Sequence, residues 1–176
     1  MKRSWVPGLL VGAVLGISAV AAADWPTAAY ISSVDVQSAL ARLPADHFDR
    51  PLRVVNAGSV HVGVALIRRP QGWTDCKWTR LDRVTEVMRV ISGSGTFVTG
   101  GELKKPQPVT PADTDSKLMG DGAVGSDIVG GESRYLAAGD LVIIPAGVPH
   151  GFRTIDSDAI VLELVRLDTG SALALK

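Results

Sequence analysis

After Pro44, the chain alternates between short apolar segments and turns that contain glycine, proline or aspartate. Short runs rich in β-branched residues between such turns are typical of the strands of an all-β sandwich or barrel. The predicted strands cover residues 52–55, 60–67, 84–91, 96–99, 133–137, 141–144, 151–155 and 159–166. Eight short strands without an internal repeat predict a single all-β domain of the double-sheet jelly-roll type.

Residues 139–150 carry the most specific pattern in this series. The segment begins with a Gly-Asp turn, and the apolar run 141–144 that follows indicates a short buried strand. Pro145 fixes its own φ, whereas Gly147 is free to adopt a positive φ, so a tight turn is expected here. The segment therefore delivers His150 to a fixed place at the end of a rigid turn, as a binding cavity requires.

The spacing of this segment resembles the second sequence motif of the cupin superfamily. In that motif a glycine is followed by a proline, a second glycine and a histidine, which match Gly139, Pro145, Gly147 and His150. The order of segments along the chain is also similar to that of small exported bacterial cupins. The resemblance implies a cupin-type double-stranded β-helix, which is a jelly-roll barrel, with one short N-terminal helix.

The first motif of the same superfamily is only half present. Its glutamate and glycine match Glu86 and Gly93, but the two histidines that precede the glutamate are missing. The positions where they would stand hold Thr79 and Leu81 or, with the shorter spacing, Arg80 and Asp82. The resemblance therefore implies a metal site of which Glu86 and His150 remain.

A second carboxylate could complete such a site. Side chains alternate along a strand, so Asp82 shares the face of Glu86 if the strand extends that far. With His150, these carboxylates form a potential site for a divalent ion such as iron, manganese, zinc or nickel. The alternative is a direct pair between Glu86 and His150 without a metal, which acts either as a catalytic acid/base couple on a bound molecule or only in the structure.

The walls of the barrel cavity are predicted from the same strands. We expect the cavity to be lined by Met88, Val90, Leu141 and Ile143. His61 shares a strand face with Gly63 and Ala65, whose small size would leave room for a ligand beside the imidazole. A cavity of this kind would bind an apolar or sugar-like small molecule.

The connecting segments contain further residues that could take part in a site. Residues 102–131 include three prolines and a glycine-rich run, and we expect a long loop beside the barrel mouth. His47 is expected at the surface. Cys76 has no second cysteine to pair with in the chain, so it is buried, free or used between chains, and we do not expect it to take part in the site. Trp73 and Trp78 flank the segment that contains Cys76, where they could stack on a ligand or pack in the core.

The N-terminus has the pattern of a secretory signal. Lys2 and Arg3 precede an apolar stretch that ends in alanines and is short for a membrane span. We predict a signal peptide over residues 1–23, an arm with a short helix over 24–51, and the barrel over 52–176. The mature chain would then be exported, periplasmic or secreted, without stable insertion in a membrane; the alternative is an uncleaved N-terminal anchor.

The arm contains one predicted helix. Ser32 stands three residues before Asp35, which is a helix-capping pattern, and Val36, Leu40 and Leu43 follow at helical spacing. This pattern predicts a short amphipathic helix that covers part of the barrel.

Charge and composition limit the possible partners. Loss of residues 1–23 would leave 16 basic and 18 acidic residues, a net charge of −2, and the chain has no extended basic cluster. These properties argue against a nucleic-acid partner. Three functions remain open. Two act on a small organic molecule, a metal-dependent enzyme of oxygenase, isomerase or lyase type and a metal-free binding module, and the third is a domain that mainly dimerises or assembles. The resemblance also implies a homodimer.

Overall fold

The computed structural model describes residues 28–44, 49–73, 78–109 and 119–176. Within these ranges the chain forms one helix, α1 (Ser33–Ala41), and thirteen strands. The Ser32 hydroxyl oxygen accepts a hydrogen bond from the backbone N–H of Asp35 at 3.0 Å, which is the predicted N-cap. No helix in these ranges is long and apolar enough to cross a membrane. The signal peptide, His47 and Cys76 lie outside the described residues.

The strands are short, and most of them are bounded by turns. In chain order they are β1 (Arg50–Asn56), β2 (His61–Pro70), β3 (Trp78–Leu81), β4 (Val84–Ser92), β5 (Ser94–Thr99), β6 (Glu102–Lys104), β7 (Gln107–Val109), β8 (Gly122–Gly125), β9 (Asp127–Val129), β10 (Glu132–Ala137), β11 (Leu141–Ile144), β12 (His150–Ile155) and β13 (Ala159–Asp168).

The strands form two main antiparallel sheets. The first sheet has the strand order β1-β2-β13-β4-β11, and the second has the order β10-β5-β12-β3-β8-β7. Strands β6 and β9 form a separate pair. Apolar side chains from both sheets meet in one core, where the rings of Phe97 and Phe152 lie 4.8 Å apart between centroids.

The strand order is that of a jelly roll. Strands β2, β3, β4 and β5 alternate between the first and the second sheet, and β10, β11, β12 and β13 alternate again, beginning in the second sheet. This eight-stranded arrangement of two facing sheets is the double-stranded β-helix. It confirms the predicted fold class, and β1 with β6–β9 are additions to it.

All eight predicted strands are present, but the segment over residues 102–131 is not the single long loop that we expected. Its described part contains β6, β7, β8 and β9, of which β8 pairs with β3. These strands have only three or four residues, so their local sequence does not indicate them. These strands depend on pairing with their neighbours. A Cβ atom at Gly122 in β8 would lie 2.0 Å from the carbonyl oxygen of Arg80 in β3, so only glycine allows the two strands to approach this closely.

Candidate functional site

The strand register places one row of residues across the inner face of the first sheet. Arg166 on β13 is opposite Gly63 on one side and Glu86 on the other, and Glu86 is opposite Ile144 on β11. Side chains opposite each other on neighbouring strands share a face. The guanidinium of Arg166 and the carboxylate of Glu86 are therefore neighbours inside the barrel.

His150 reaches this row from the second sheet. It is the first residue of β12, and its Nε2 atom lies 2.9 Å from Glu86 Oε2. The preceding turn has Gly147 at a φ of 82°, and the Gly147 N–H donates a hydrogen bond to the Leu81 carbonyl oxygen at 2.7 Å. The predicted Pro-Gly turn thus fixes the position of the imidazole against the opposite sheet.

Arg166 joins two buried carboxylates. Its Nε atom donates to Glu86 Oε1 at 2.8 Å, and its Nη1 atom lies 2.5 Å from Asp49 Oδ2. The contact between Asp49 and Arg166 is an ion pair by distance. Among the described residues, Asp49 Oδ2 has no hydrogen-bond partner of good geometry. All three side chains are buried, where an uncompensated charge would cost several kcal/mol.

Neighbouring groups stabilise the ionised form of Glu86. Burial alone would raise the pKa of this carboxyl, but the Arg166 charge and the hydrogen bond from His150 outweigh burial and lower the pKa to about 2. Burial likewise opposes the charge on Arg166, and the carboxylates of Asp49 and Glu86 raise the Arg166 pKa above its usual value. Both groups are therefore ionised across the ordinary pH range.

Both ring nitrogens of His150 face hydrogen-bond acceptors. Nδ1 lies 3.0 Å from the Val148 carbonyl oxygen, and Nε2 faces the ionised Glu86. Both partners are acceptors, so a protonated ring nitrogen can donate to the acceptor that it faces. His150, Glu86, Arg166 and Asp49 form a continuous row of contacts in which nitrogen groups alternate with carboxylates, which we call the charge chain.

The charge chain lines part of a cavity between the sheets. The cavity volume is about 70 Å³, and most of its remaining wall is apolar. Its apolar lining includes Ile67, Leu81, Met88, Phe97, Ile144, Phe152, Leu162 and Leu164. Arg69 also lines it, with its guanidinium 3.9 Å from the ring centroid of Trp73.

The structure brings together three of the residues predicted for the site. Glu86, His150 and Met88 all line the cavity. Asp82 does not: its side chain is 46% exposed and pairs with Arg80 at 2.8 Å. The prediction for Asp82 was wrong because β4 begins only at Val84, and the turn before it breaks the alternation.

The predicted apolar walls were wrong in part. Leu141 and Ile143 point away from the barrel and are 63% and 69% exposed, whereas Ile144 lines the cavity. The run in β11 is apolar on both faces, so its sequence does not reveal the inward face. Val90 packs in the core beside the cavity.

His61 takes part in a different contact. Its Nδ1 atom lies 3.0 Å from the Leu173 carbonyl oxygen, and it does not line the cavity. Asp168 accepts hydrogen bonds from the backbone N–H groups of Gly170 and Leu173 at 2.7 and 2.8 Å. These contacts fix the C-terminal segment against the barrel, so the described position of His61 is structural.

Arg166 and Asp49 were not predicted as site residues. Arg166 stands in the run Leu164-Val165-Arg166-Leu167 of β13, where apolar residues lie on both sides of it. A charged residue on the same strand face as Leu162 and Leu164 indicates a buried functional group. A strand that is apolar on both faces, however, does not reveal which of its residues point inward. Asp49 precedes β1 and has no local pattern that indicates burial.

The site does not fit a divalent metal ion in this arrangement. Among the residues that the structure describes, no three histidine, cysteine, aspartate or glutamate side chains converge on one point. Both oxygens of Glu86 already face donors, and the Nε2 atom of His150 faces a carboxylate. A cation here would also meet the positive charge of Arg166.

The strand order and the Gly139–His150 motif together describe a single barrel of the cupin type. No family profile matches the chain's sequence, and no curated protein sequence matches it. Among solved structures, the chain is similar to Bacillus halodurans BH2720, with 15% identity, a TM-score of 0.47, and coverage of 79% of this chain and 80% of that one.

Two further structures are similar in the same way. One is an uncharacterized conserved protein with a double-stranded β-helix domain from Klebsiella pneumoniae, at 18% identity and a TM-score of 0.46, covering 84% of this chain and 97% of that one. The other is an RmlC-like cupin family protein from Methanocaldococcus jannaschii, at 16% identity and a TM-score of 0.45, covering 73% of this chain and 85% of that one. These similarities are too distant to indicate a ligand or an activity.

Proposed function

We propose that the barrel binds a small organic molecule at the charge chain without a metal ion. The observation that supports this most directly is that each buried charge of the chain has an opposite charge beside it in the protein. An ion is then not needed to compensate Glu86. The metal-dependent enzyme that the resemblance implies is less well supported, because its two remaining ligands contact each other.

The cavity lining suggests the chemistry of the ligand. Most of the wall is apolar, whereas a carboxylate oxygen can accept two hydrogen bonds. A hydroxyl or amino group of a ligand could therefore donate to Glu86 while its carbon atoms contact Met88 and Phe152. A volume of about 70 Å³ limits the enclosed part of the ligand to a few non-hydrogen atoms.

Ligand-induced stabilisation tests this proposal. We would heat the purified chain in buffer with EDTA, with and without a panel of small hydroxy acids, sugars and aromatic alcohols. Binding raises the melting temperature, and a ligand at a hundred times its Kd stabilises by about 2.7 kcal/mol. We expect a shift in the wild type that persists in EDTA and is lost in Glu86→Gln.

Leu141→Ala is the matched control, because Leu141 is exposed on the outside of the barrel. It should retain the ligand-induced shift. A shift that disappears in EDTA would contradict the metal-free proposal. A shift retained in Glu86→Gln would place the ligand elsewhere in the molecule.

Acid/base catalysis is a second candidate, and the contact of 2.9 Å between His150 Nε2 and Glu86 Oε2 favours it. An imidazolium beside an ionised carboxylate can act as a general acid toward a ligand oxygen. An isomerase would then lose activity in both His150→Gln and Glu86→Gln, whereas a binding module would show no turnover with any ligand that stabilises it. The homodimer stays a prediction, which light scattering of the purified chain would test.

A further inference from the structure

We propose that a cleft outside the barrel cavity is a second binding site, and that it takes the ring of a neutral sugar or a similar polyhydroxylated molecule. The cleft is formed by Gly72, Trp73 and residues 152–156, and we call it the outer cleft. Its volume is about 370 Å³, which lies within the range of about 300–1,000 Å³ that is usual for small-molecule sites. The inference does not depend on the function proposed for the charge chain.

The outer cleft is separate from the charge chain. His150 is the first residue of β12, whereas Thr154 is near its end, and four residues of a strand span about 13 Å. The described lining of the outer cleft contains no member of the charge chain. Trp73 and Phe152 line both spaces, so their rings form the wall that the barrel cavity and the outer cleft share.

Trp73 gives the outer cleft an aromatic surface. Its indole packs against the core of the barrel, and the guanidinium of Arg69 lies 3.9 Å from its ring centroid. Arg69 lines the barrel cavity and not the outer cleft, so it covers the cavity side of the ring. The other side of the ring faces the outer cleft, where an aromatic face can pack against the C–H groups of a sugar ring.

The backbone before the indole is held in place. The N–H of Gln71 donates a hydrogen bond to the Asp158 carbonyl oxygen at 2.9 Å, and the N–H of Trp73 donates to the Pro70 carbonyl oxygen at 3.3 Å. Gly72, between them, has a φ of 69°, which glycine adopts without strain. The ring is therefore positioned before a ligand arrives, which reduces the cost of ordering it on binding.

A β-bulge in β12 supplies polar groups to the outer cleft. The register of β12 with β5 shifts between Phe152 and Thr154, and Arg153 is the extra residue. Consecutive residues of a regular strand point to opposite faces, but Arg153 and Thr154 are both exposed. Bulges commonly re-aim side chains next to binding sites. This bulge brings two successive polar side chains to the side of the strand that Trp73 borders.

The polar groups of the outer cleft match a neutral ligand with several hydroxyl groups. The carboxylate of Asp156 accepts hydrogen bonds, the guanidinium of Arg153 donates them, and the Thr154 hydroxyl does both. Thr154 Oγ1 accepts from the Thr96 N–H at 3.3 Å, and its own O–H group is a donor besides. Hydroxyl groups both donate and accept, so they can satisfy all three side chains. The opposite charges of Arg153 and Asp156 favour a neutral molecule over an ion of either sign.

NMR spectroscopy of the purified, isotope-labelled chain tests the inference. We would titrate it with glucose, galactose, mannose, N-acetylglucosamine and myo-inositol, and follow the Trp73 indole N–H and the backbone amides of residues 154–156. We expect at least one of these probes to shift the four signals saturably and together. Asp156→Ala should weaken this binding by about tenfold or more, because it removes a charged acceptor. Asp156 is exposed, so its loss leaves the core intact.

Asp158→Ala is the matched control. Asp158 is also exposed, two residues further along the chain, and it does not line the outer cleft. This variant should bind the probe as the wild type does. Absence of a saturable shift with every probe, or equal affinity in wild type and Asp156→Ala, would overturn the inference. Shifts at Met88 and His150 instead would place the sugar in the barrel cavity, which would support the function proposed there and refute the second site.

Discussion

The site depends on single residues that no motif identifies. The resemblance to the two cupin motifs indicated Glu86 and His150, and the structure places His150 Nε2 2.9 Å from Glu86 Oε2. Arg166 and Asp49, which decide the charge of the site, come from distant parts of the chain and meet only through the strand register. The sequence therefore predicts two of the four members of the charge chain, because the other two depend on tertiary pairing.

Loss of the Glu86 charge should destabilise the barrel strongly. Glu86→Gln keeps the shape of the side chain but leaves the buried guanidinium of Arg166 with one carboxylate instead of two. Removing one partner of a buried ion pair costs about 3–5 kcal/mol. Urea unfolding would measure this change in the free energy of unfolding.

Glu132→Gln is the control for this measurement. Glu132 pairs with Arg134 at 2.6 Å on the surface, where both side chains are largely exposed. Such pairs contribute at most about 1 kcal/mol. Similar losses in the two variants would show that the charge chain does not stabilise the fold.

The pKa of Glu86 predicts how stability changes in acid. The folded pKa is lowered from 4.5 to about 2, so the carboxylate stabilises the fold above pH 4.5, and this contribution is lost as the pH falls toward 2. The contribution is on the order of 3 kcal/mol. We expect the stability difference between wild type and Glu86→Gln to shrink over this range in urea unfolding. A difference that stays constant from pH 5 to pH 2.5 would contradict the lowered pKa.

At the scale of elements, the sequence predicts the existence of strands better than their orientation. All eight predicted strands are present, since apolar runs between turn residues determine them locally. In β11, however, all four residues are apolar, and only pairing with β4 decides which of them face the core. Strand β3 and strands β6–β9 were missed, because these short strands depend on their pairing partners rather than on their own pattern.

Adjacent residues of β11 should respond differently to truncation. Ile144 is 3% exposed and packs in the core, whereas Ile143 is 69% exposed. Ile144→Ala should cost about 2–5 kcal/mol because it leaves a cavity, and Ile143→Ala should change stability by about 0.5 kcal/mol or less. Urea unfolding of the two variants measures both values. A larger loss in Ile143→Ala than in Ile144→Ala would mean that the strand is in the other phase.

At the scale of the whole molecule, the jelly roll could be predicted because a specific motif and the strand count agree on it. The strand order then confirmed the double-stranded β-helix. The chemistry of its cavity could not be predicted in the same way. A half-complete motif is compatible with a weak metal site or with none.

Export is a further prediction for the whole chain. Cleavage after residue 23 should give a mature protein that begins at Asp24, because the positive start, the apolar stretch and the alanines match a secretory signal. Expression in a bacterial host followed by intact-mass analysis of the periplasmic and culture fractions would detect it. Recovery of only the full-length chain with the cells would favour the uncleaved anchor.

The metal content of the purified wild-type chain tests the central claim most directly. The protein would be expressed with its signal in medium supplemented with iron, manganese, zinc and nickel, purified without chelator, and subjected to elemental analysis beside His150→Ala. Because Arg166 supplies the cation that Glu86 requires, we predict that both proteins contain only traces of metal. One equivalent of a divalent metal in the wild type that is lost in His150→Ala would contradict the account.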